Sequence, residues 1–93
     1  MRHFKPEDKL CRAQETLSTE LDQEIVLMSI DAGAYYGLAG TARSIWRELE
    51  TPMTFAALVE ELVKEYNIAP EVCAADLQQF LGAMEREGLL RVE

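Results

Sequence analysis

The side chains that carry out most enzymatic chemistry are scarce in this sequence of 93 residues. Its one histidine, His3, lies near the amino terminus without a titratable partner at a fixed spacing, so it offers no positioned general acid or base. Cys11 and Cys73 are far apart and lack a Cys-x-x-Cys spacing, which favours two reduced thiols over a disulfide or a metal-ligand set. The sequence therefore predicts neither a catalytic centre nor a bound metal or cofactor.

Two acidic pairs and one glycine-rich stretch are the remaining candidates for chemistry. Glu60–Glu61 and Glu85/Glu87 fall on helix faces that the sequence predicts to be exposed, so we expect solvated charge there. The stretch GLAG is too short for a phosphate-binding loop and lacks its lysine. The pattern predicts that the protein is not an enzyme.

Composition narrows the range of partners. Nine basic residues against 17 acidic ones give a net charge of −8, which repels nucleic acid and anionic membranes and suits a neutral or basic partner. No apolar run approaches the ~20 residues that span a bilayer, and the charged start MRHFKPEDKL, with no apolar segment after it, is not expected to act as a signal peptide. We expect one soluble, cytoplasmic domain over residues 10–93, preceded by a flexible lead-in over residues 1–9.

The first half of the chain favours strands. EIVLMSI, residues 24–30, is a strong strand candidate, and Gly33 can take the positive φ of a tight turn that returns the chain into the strand AYYGL. LCRAQET is a weaker candidate for a first strand, and the polar stretch STELDQ after it is expected to turn. The sequence predicts a three-stranded antiparallel sheet.

The second half is helical. Apolar residues recur with helical spacing from about Thr41 to Leu49, and Thr54 is a good N-cap for a second helix. Pro70 suits the first turn of a third helix, which Gly88 ends, and the tail LLRVE is predicted to add a short strand. Strands followed by three helices predict an α+β fold, and the short turn between the last two helices favours a winged helix-turn-helix.

One face of the third helix could form a groove. At 100° per residue, Cys73, Leu77 and Phe80 cluster on one side, and Asp76 borders them as a polar residue at the lip. The alternative is that these apolar residues are core and that Asp76 is solvated.

The strand AYYGL is the second candidate surface. Tyr35 and Gly37 share one face of a strand and Ala34, Tyr36 and Leu38 share the other, so at most one tyrosine can form a groove wall. Between Gly33 and Gly40 there is no charge or proline, the residues that usually protect an edge strand. Such an edge can accept an extended peptide as an added strand, unless the amino-terminal segment covers it.

Two other binding functions compete with peptide capture. A winged-helix DNA-binding regulator needs Arg or Lys on its reader helix, whereas residues 70–87 contain four acidic residues against Arg86 alone. A dimerisation module could instead pair the neutral strand with a second copy.

The order of the motifs resembles the PqqD-like family, the recognition elements for precursors of ribosomally synthesised, post-translationally modified peptides (RiPPs). The resemblance rests on YYGL leading into a helix with IW, a proline-containing turn, an L-V-x-x-L helix, C-x-x-D-L-x-x-F-L and a closing GLL, over about residues 24–92. Ala39-Gly40 stands where the family often has Asn-Pro, which affects the start of a helix and leaves the groove intact.

The resemblance implies a small, non-catalytic winged-helix protein that binds the leader region of a precursor peptide and presents it to modifying enzymes. The leader is expected to add to the third strand, with side chains entering a cleft against the third helix. The residues implied in peptide binding are Ala34, Tyr35, Tyr36, Gly37, Leu38, Cys73, Asp76, Leu77 and Phe80.

Within the family, YYGL and C-x-x-D-L are most similar to the stand-alone leader-binding proteins of split lasso-peptide biosynthesis systems. That resemblance implies a leader peptidase and a macrolactam synthetase as further partners. A precursor-peptide chaperone of the PQQ pathway, working with a radical SAM enzyme, is the close alternative.

Overall fold

The structure, a computed structural model, describes residues 3–14, 16–30 and 33–93. Within these ranges the chain forms an α+β fold with three helices and two small antiparallel sheets. In chain order the elements are β1 (Lys9–Arg12), β2 (Thr16–Leu21), β3 (Glu24–Ser29), β4 (Ala34–Ala39), α1 (Thr41–Glu48), β5 (Met53–Thr54), α2 (Phe55–Tyr66), α3 (Pro70–Arg86) and β6 (Leu90–Val92).

The first sheet has the order β2-β3-β4, with β3 in the middle. Ile25, Leu27 and Ser29 alternate as the buried face of β3, as the predicted strand requires. Gly33 has φ 63° and its N–H donates to the Ser29 carbonyl at 2.9 Å, which confirms its place in the turn into β4. The predicted turn also includes Asp31 and Ala32, which lie outside the described residues.

The strand that pairs with β3 on its other side was predicted wrongly. Most of STELDQ is strand, since β2 spans Thr16–Leu21 and its turn is formed by Asp22 and Gln23. Almost all of β2 is exposed on both faces, because it is an edge strand over solvent, and its sequence therefore lacks the alternation that marks a half-buried strand. LCRAQET contributes β1 instead, which belongs to the other sheet.

The second sheet has the order β5-β1-β6 and joins distant parts of the chain. Leu10 of β1 is fully buried and pairs with Met53 on one side and with Val92 on the other. The short strand predicted in LLRVE is confirmed as β6. This sheet holds the amino-terminal segment, the α1–α2 connection and the carboxyl terminus together.

The helices begin and end where the sequence indicates. The Thr54 hydroxyl accepts a hydrogen bond from the Ala57 N–H at 3.1 Å and caps α2, which ends at Asn67 in the left-handed conformation. In α1, Ile45 and Trp46 form the buried face. All three helices bury apolar faces in one core that also includes Ile25, Leu27 and Leu38 of the first sheet.

The carboxyl end of α3 is closed by a Schellman motif. Gly88 has φ 76°, its N–H donates to the Glu85 carbonyl at 3.1 Å, and the N–H of buried Leu89 donates to the Met84 carbonyl at 2.9 Å. Gly88 therefore has the predicted C′ role, and Glu87 is held in place as the residue that ends the helix.

A flexible lead-in was predicted over residues 1–9, and the part of it that the structure describes, residues 3–9, packs against the core. Residues 1 and 2 lie outside the described residues. Phe4 is 1% exposed and its ring stacks on Phe55, with centroids 6.2 Å apart. Its backbone N–H donates to Gln78 Oε1 and its carbonyl accepts from Gln78 Nε2, both at 2.8 Å. A single aromatic in a charged stretch gives no periodic signal, so the sequence pattern missed this anchor.

In the part of the chain that the structure describes, no helix is long and apolar enough to cross a membrane.

We expect Phe4→Ala to lower the free energy of unfolding by about 3 kcal/mol, because it removes a buried ring stacked on the core. His3→Ala is the matched control, since its side chain is exposed, and it should change stability by less than about 0.5 kcal/mol. Urea unfolding followed by tryptophan fluorescence measures both. Equal midpoints for the two variants would show that the segment does not anchor the fold.

Candidate functional site

The outer edge of β4 is open. β4 pairs with β3 along its whole length, and among the described residues no strand pairs with its other edge. The amino-terminal segment, which could have covered this edge, instead contacts α2 and α3 and continues into β1 of the second sheet. β4 therefore keeps a row of backbone N–H and C=O groups without strand partners in the described chain.

Helix α3 presents one face toward this part of the molecule. Asp76, Phe80, Ala83 and Glu87 are spaced by four, three and four residues, so they lie on one side of the helix. β4 runs in the opposite direction to α3: Tyr36 contacts Glu87, whereas Thr41, just beyond β4, lines a cavity together with Asp76.

Two cavities lie along this face, and Phe80 lines both. The helical cavity, of about 450 Å³, is formed mainly by the three helices and is lined by Thr41, Ala42, Ile45, Leu62, Tyr66, Ile68, Cys73, Asp76, Leu77 and Phe80. The strand cavity, of about 210 Å³, lies between β4 and the carboxyl end of α3 and is lined by Tyr36, Gly37, Leu38, Phe80, Ala83, Met84, Glu87 and Leu89. We refer to the two cavities together as the cleft.

The two adjacent tyrosines of β4 lie on opposite faces of the sheet. Tyr36 shares the inner face with Leu27 and lines the strand cavity. Tyr35 is 73% exposed on the outer face, in a row with Met28 and Leu17. The alternation predicted from the sequence is therefore confirmed, and Tyr36 is the tyrosine that forms a wall of the cleft.

The structure brings most of the predicted site residues together. The predicted site residues that line the cleft are Tyr36, Gly37, Leu38, Cys73, Asp76, Leu77 and Phe80. Ala34 and Tyr35 line neither cavity. Ala34 is the first residue of β4, where a contact to a guest would involve the backbone rather than a cavity.

Sequence reasoning missed the walls that other elements contribute. Tyr66 and Ile68 close the helical cavity from the end of α2 and the loop after it. Glu87 was expected to be merely solvated. It is exposed, but its Oε2 accepts a hydrogen bond from the Tyr36 hydroxyl at 2.8 Å and it lines the strand cavity. Its spacing from Asp76 is the signal that could have found it.

The thiol of Cys73 in the cleft is buried beside a carboxylate, and both features disfavour its thiolate form. Burial raises the pKa of the Cys73 thiol, and the nearby carboxylate of Asp76 raises it further. A protonated thiol is a poor nucleophile, so Cys73 acts as a small apolar wall. No cluster of three His, Cys, Asp or Glu side chains suited to a metal ion occurs in residues 3–14, 16–30 and 33–93.

These features define a small α+β module with an open strand edge beside an apolar cleft. Comparison with known proteins identifies its family: residues 24–90 match the family described as coenzyme PQQ synthesis protein D (PqqD), and the chain belongs to that family. The resemblance drawn from YYGL, C-x-x-D-L and GLL is thereby confirmed, together with the expectation that the protein is not an enzyme.

A solved structure extends this comparison. The chain is similar to TbiB1 in complex with the TbiA(beta) leader peptide, with a TM-score of 0.82 and 28% sequence identity. The match covers 87% of this chain and 94% of that one. No curated protein sequence matches the chain.

The contact between Tyr36 and Glu87 predicts a raised pKa for the Tyr36 hydroxyl, which can be measured. The hydrogen bond to the carboxylate, followed by burial and the negative charge, raises the pKa of the Tyr36 hydroxyl. We expect Glu87→Gln to lower that pKa toward the ordinary value, as measured by NMR of ¹³Cζ-labelled tyrosine. The stability that this hydrogen bond contributes is fully present below the pKa of tyrosine in the unfolded chain. It is lost as the pH rises through the raised pKa of Tyr36 in the folded protein. Glu60→Gln is the control because it removes the same charge from an exposed position of α2 that lines neither cavity. A Tyr36 titration that is identical in both proteins would contradict the contact.

Proposed function

We propose that the protein is a cytoplasmic, non-catalytic chaperone that binds the leader region of a ribosomally synthesised precursor peptide. The observation that carries the proposal is the open edge of β4 directly beside the apolar cleft. The similarity to TbiB1, whose structure contains a leader peptide, supports it.

Binding combines two contributions. The leader adds to β4 as a fourth strand, so main-chain hydrogen bonds satisfy the open edge without regard to sequence. Apolar side chains of the leader then enter the two cavities on either side of Phe80, where burial supplies affinity and cavity shape supplies selectivity. All nine residues implied by the family resemblance belong to this surface, with Ala34 and Tyr35 contributing backbone.

The partners follow from the pathway. We assign the protein to lasso-peptide biosynthesis, where the bound leader is presented to a leader peptidase and a macrolactam synthetase. We also regard the fold as a variant of the winged helix. The motifs YYGL and C-x-x-D-L support this assignment, whereas the likeness to TbiB1 supports leader binding alone. The description of the matched family favours one second candidate, a precursor-peptide chaperone of the PQQ pathway.

Fluorescence anisotropy of a labelled synthetic leader, taken from the precursor gene adjacent to this one, tests the proposal. We expect saturable binding, weakened at least tenfold by Phe80→Ala, because Phe80 lines both cavities. Leu17→Ala is the matched control and should leave affinity unchanged, since Leu17 is exposed on β2 and lines neither cavity.

Circular dichroism of Phe80→Ala and a second variant, Phe80→Leu, separate lost contacts from lost folding. Absence of saturable binding to the wild-type protein would overturn the proposal, as would equal affinity for the wild type and a folded Phe80→Ala. Retention of the protein on duplex DNA that weakens as the salt concentration rises would favour a winged-helix DNA-binding regulator instead. A stable dimer in sedimentation that leaves no free edge would point to self-association.

Strand addition itself makes a sharper prediction about the peptide. Alternate N–H groups of an added strand face β4, so N-methylation of every second residue in one register should weaken binding at least tenfold. N-methylation of the intervening residues removes N–H groups that face away from β4 and is the matched control. Equal affinity of the two methylated peptides would show that the leader does not bind as a strand.

A further inference from the structure

The charged residues that line the cleft are all acidic. Among the described residues that line it, Asp76 in the helical cavity and Glu87 in the strand cavity are charged, and no lysine or arginine lines either cavity. The remaining lining residues are apolar or neutral, so each cavity has one acidic group at an otherwise uncharged wall.

The basic residues Arg43, Arg47 and Lys64 of α1 and α2 form ion pairs outside the cleft. Arg43 and Arg47 of α1 both pair with Glu20 of β2, whose pKa is lowered mainly by its hydrogen bond with Arg47. Lys64 near the end of α2 pairs with Glu61 at 3.9 Å. These pairings leave the acidic groups of the cleft without a cation from α1 or α2 in the described chain.

The two carboxylates are correspondingly uncompensated. Asp76 is exposed, and its side chain makes no hydrogen bond or ion pair with any described residue. Its negative charge raises the pKa of the neighbouring Cys73 thiol. Glu87 accepts from the neutral hydroxyl of Tyr36 and ends α3, where the helix dipole adds further negative potential. An occupant that brings positive charge to both positions would be favoured at each of them.

The helix sets the distance between the two positions. Asp76 and Glu87 are eleven residues apart on one face of α3, which corresponds to about 16 Å along the axis. An extended chain covers that length in about five residues. Side chains on the same face of a strand recur at even spacings, so four or six residues match once the length of a lysine or arginine side chain is included.

We propose that the peptide bound in the cleft carries two basic side chains four or six residues apart, one paired with Asp76 and the other with Glu87. This inference rests on the proposed function, since it specifies the chemistry of the peptide that the same cleft binds. A peptide added antiparallel to β4 runs in the same direction as α3, so its upstream basic residue meets Asp76 and its downstream one meets Glu87.

The experiment uses the labelled leader described above and the full chain with Asp76→Asn, Glu87→Gln or both. We expect each neutral variant to weaken binding about threefold to tenfold at low salt, and the double variant to lose most of the salt dependence. Glu60→Gln is the matched control, because it removes the same charge from an exposed position of α2 that lines neither cavity.

The peptide supplies the other half of a double-mutant cycle. Replacing its paired lysines by norleucine, or its arginines by citrulline, should weaken binding to the wild type and have little further effect on the double variant. A leader that binds but has no basic pair at this spacing would overturn the inference and leave the proposed function standing. The inference would also be overturned, with the proposed function still standing, if Asp76→Asn and Glu87→Gln changed the affinity no more than Glu60→Gln does. Absence of binding by the wild type would overturn the proposed function itself.

Discussion

The rest of the structure depends on the burial of one strand, β3. Its inner face places Ile25 and Leu27 in the core, and both of its edges are paired. A buried strand cannot leave backbone groups without partners, since each would lose its hydrogen bond with water. β2 and β4 supply those partners, and each of them is left with one edge that the sheet itself does not satisfy.

The two outer strands, β2 and β4, differ in how their unpaired edges are protected. β2 is polar and exposed, and its Glu20 is tied to Arg43 and Arg47 of α1, so solvent and charge protect that side. β4 has neither protection and lies against α3 across the cleft. The asymmetry gives the molecule one protected edge and one that can take up a partner.

Helix α3 is positioned from both sides by contacts that are distant in sequence. Gln78 exchanges two hydrogen bonds with the backbone of Phe4, and the Schellman motif leads directly into buried Leu89 and β6. The second sheet then joins β6 to β1. The wall of the cleft that carries Phe80 is therefore held by the amino-terminal segment as well as by the core.

The sequence was most informative where a residue type has a single structural role. Gly33, Thr54 and Gly88 predicted a turn, a helix start and a helix end that the structure confirms. Periodicity found the three helices and the cleft-lining face of α3. It failed for β2, whose faces are both exposed, and for Phe4, which packs through tertiary contacts that leave no local pattern. It also could not reveal the walls formed by Tyr66 and Ile68, because a cavity between elements depends on how they pack.

The eleven-residue separation of Asp76 and Glu87 has a consequence for how this protein can vary over evolution. Eleven residues make about three complete turns, so the two carboxylates remain in phase along α3. Inserting or deleting one residue between them would rotate Glu87 by about 100° and take it out of line with Tyr36, even though every side chain was kept. The length of this helical segment should therefore be constrained more tightly than the identity of most residues within it.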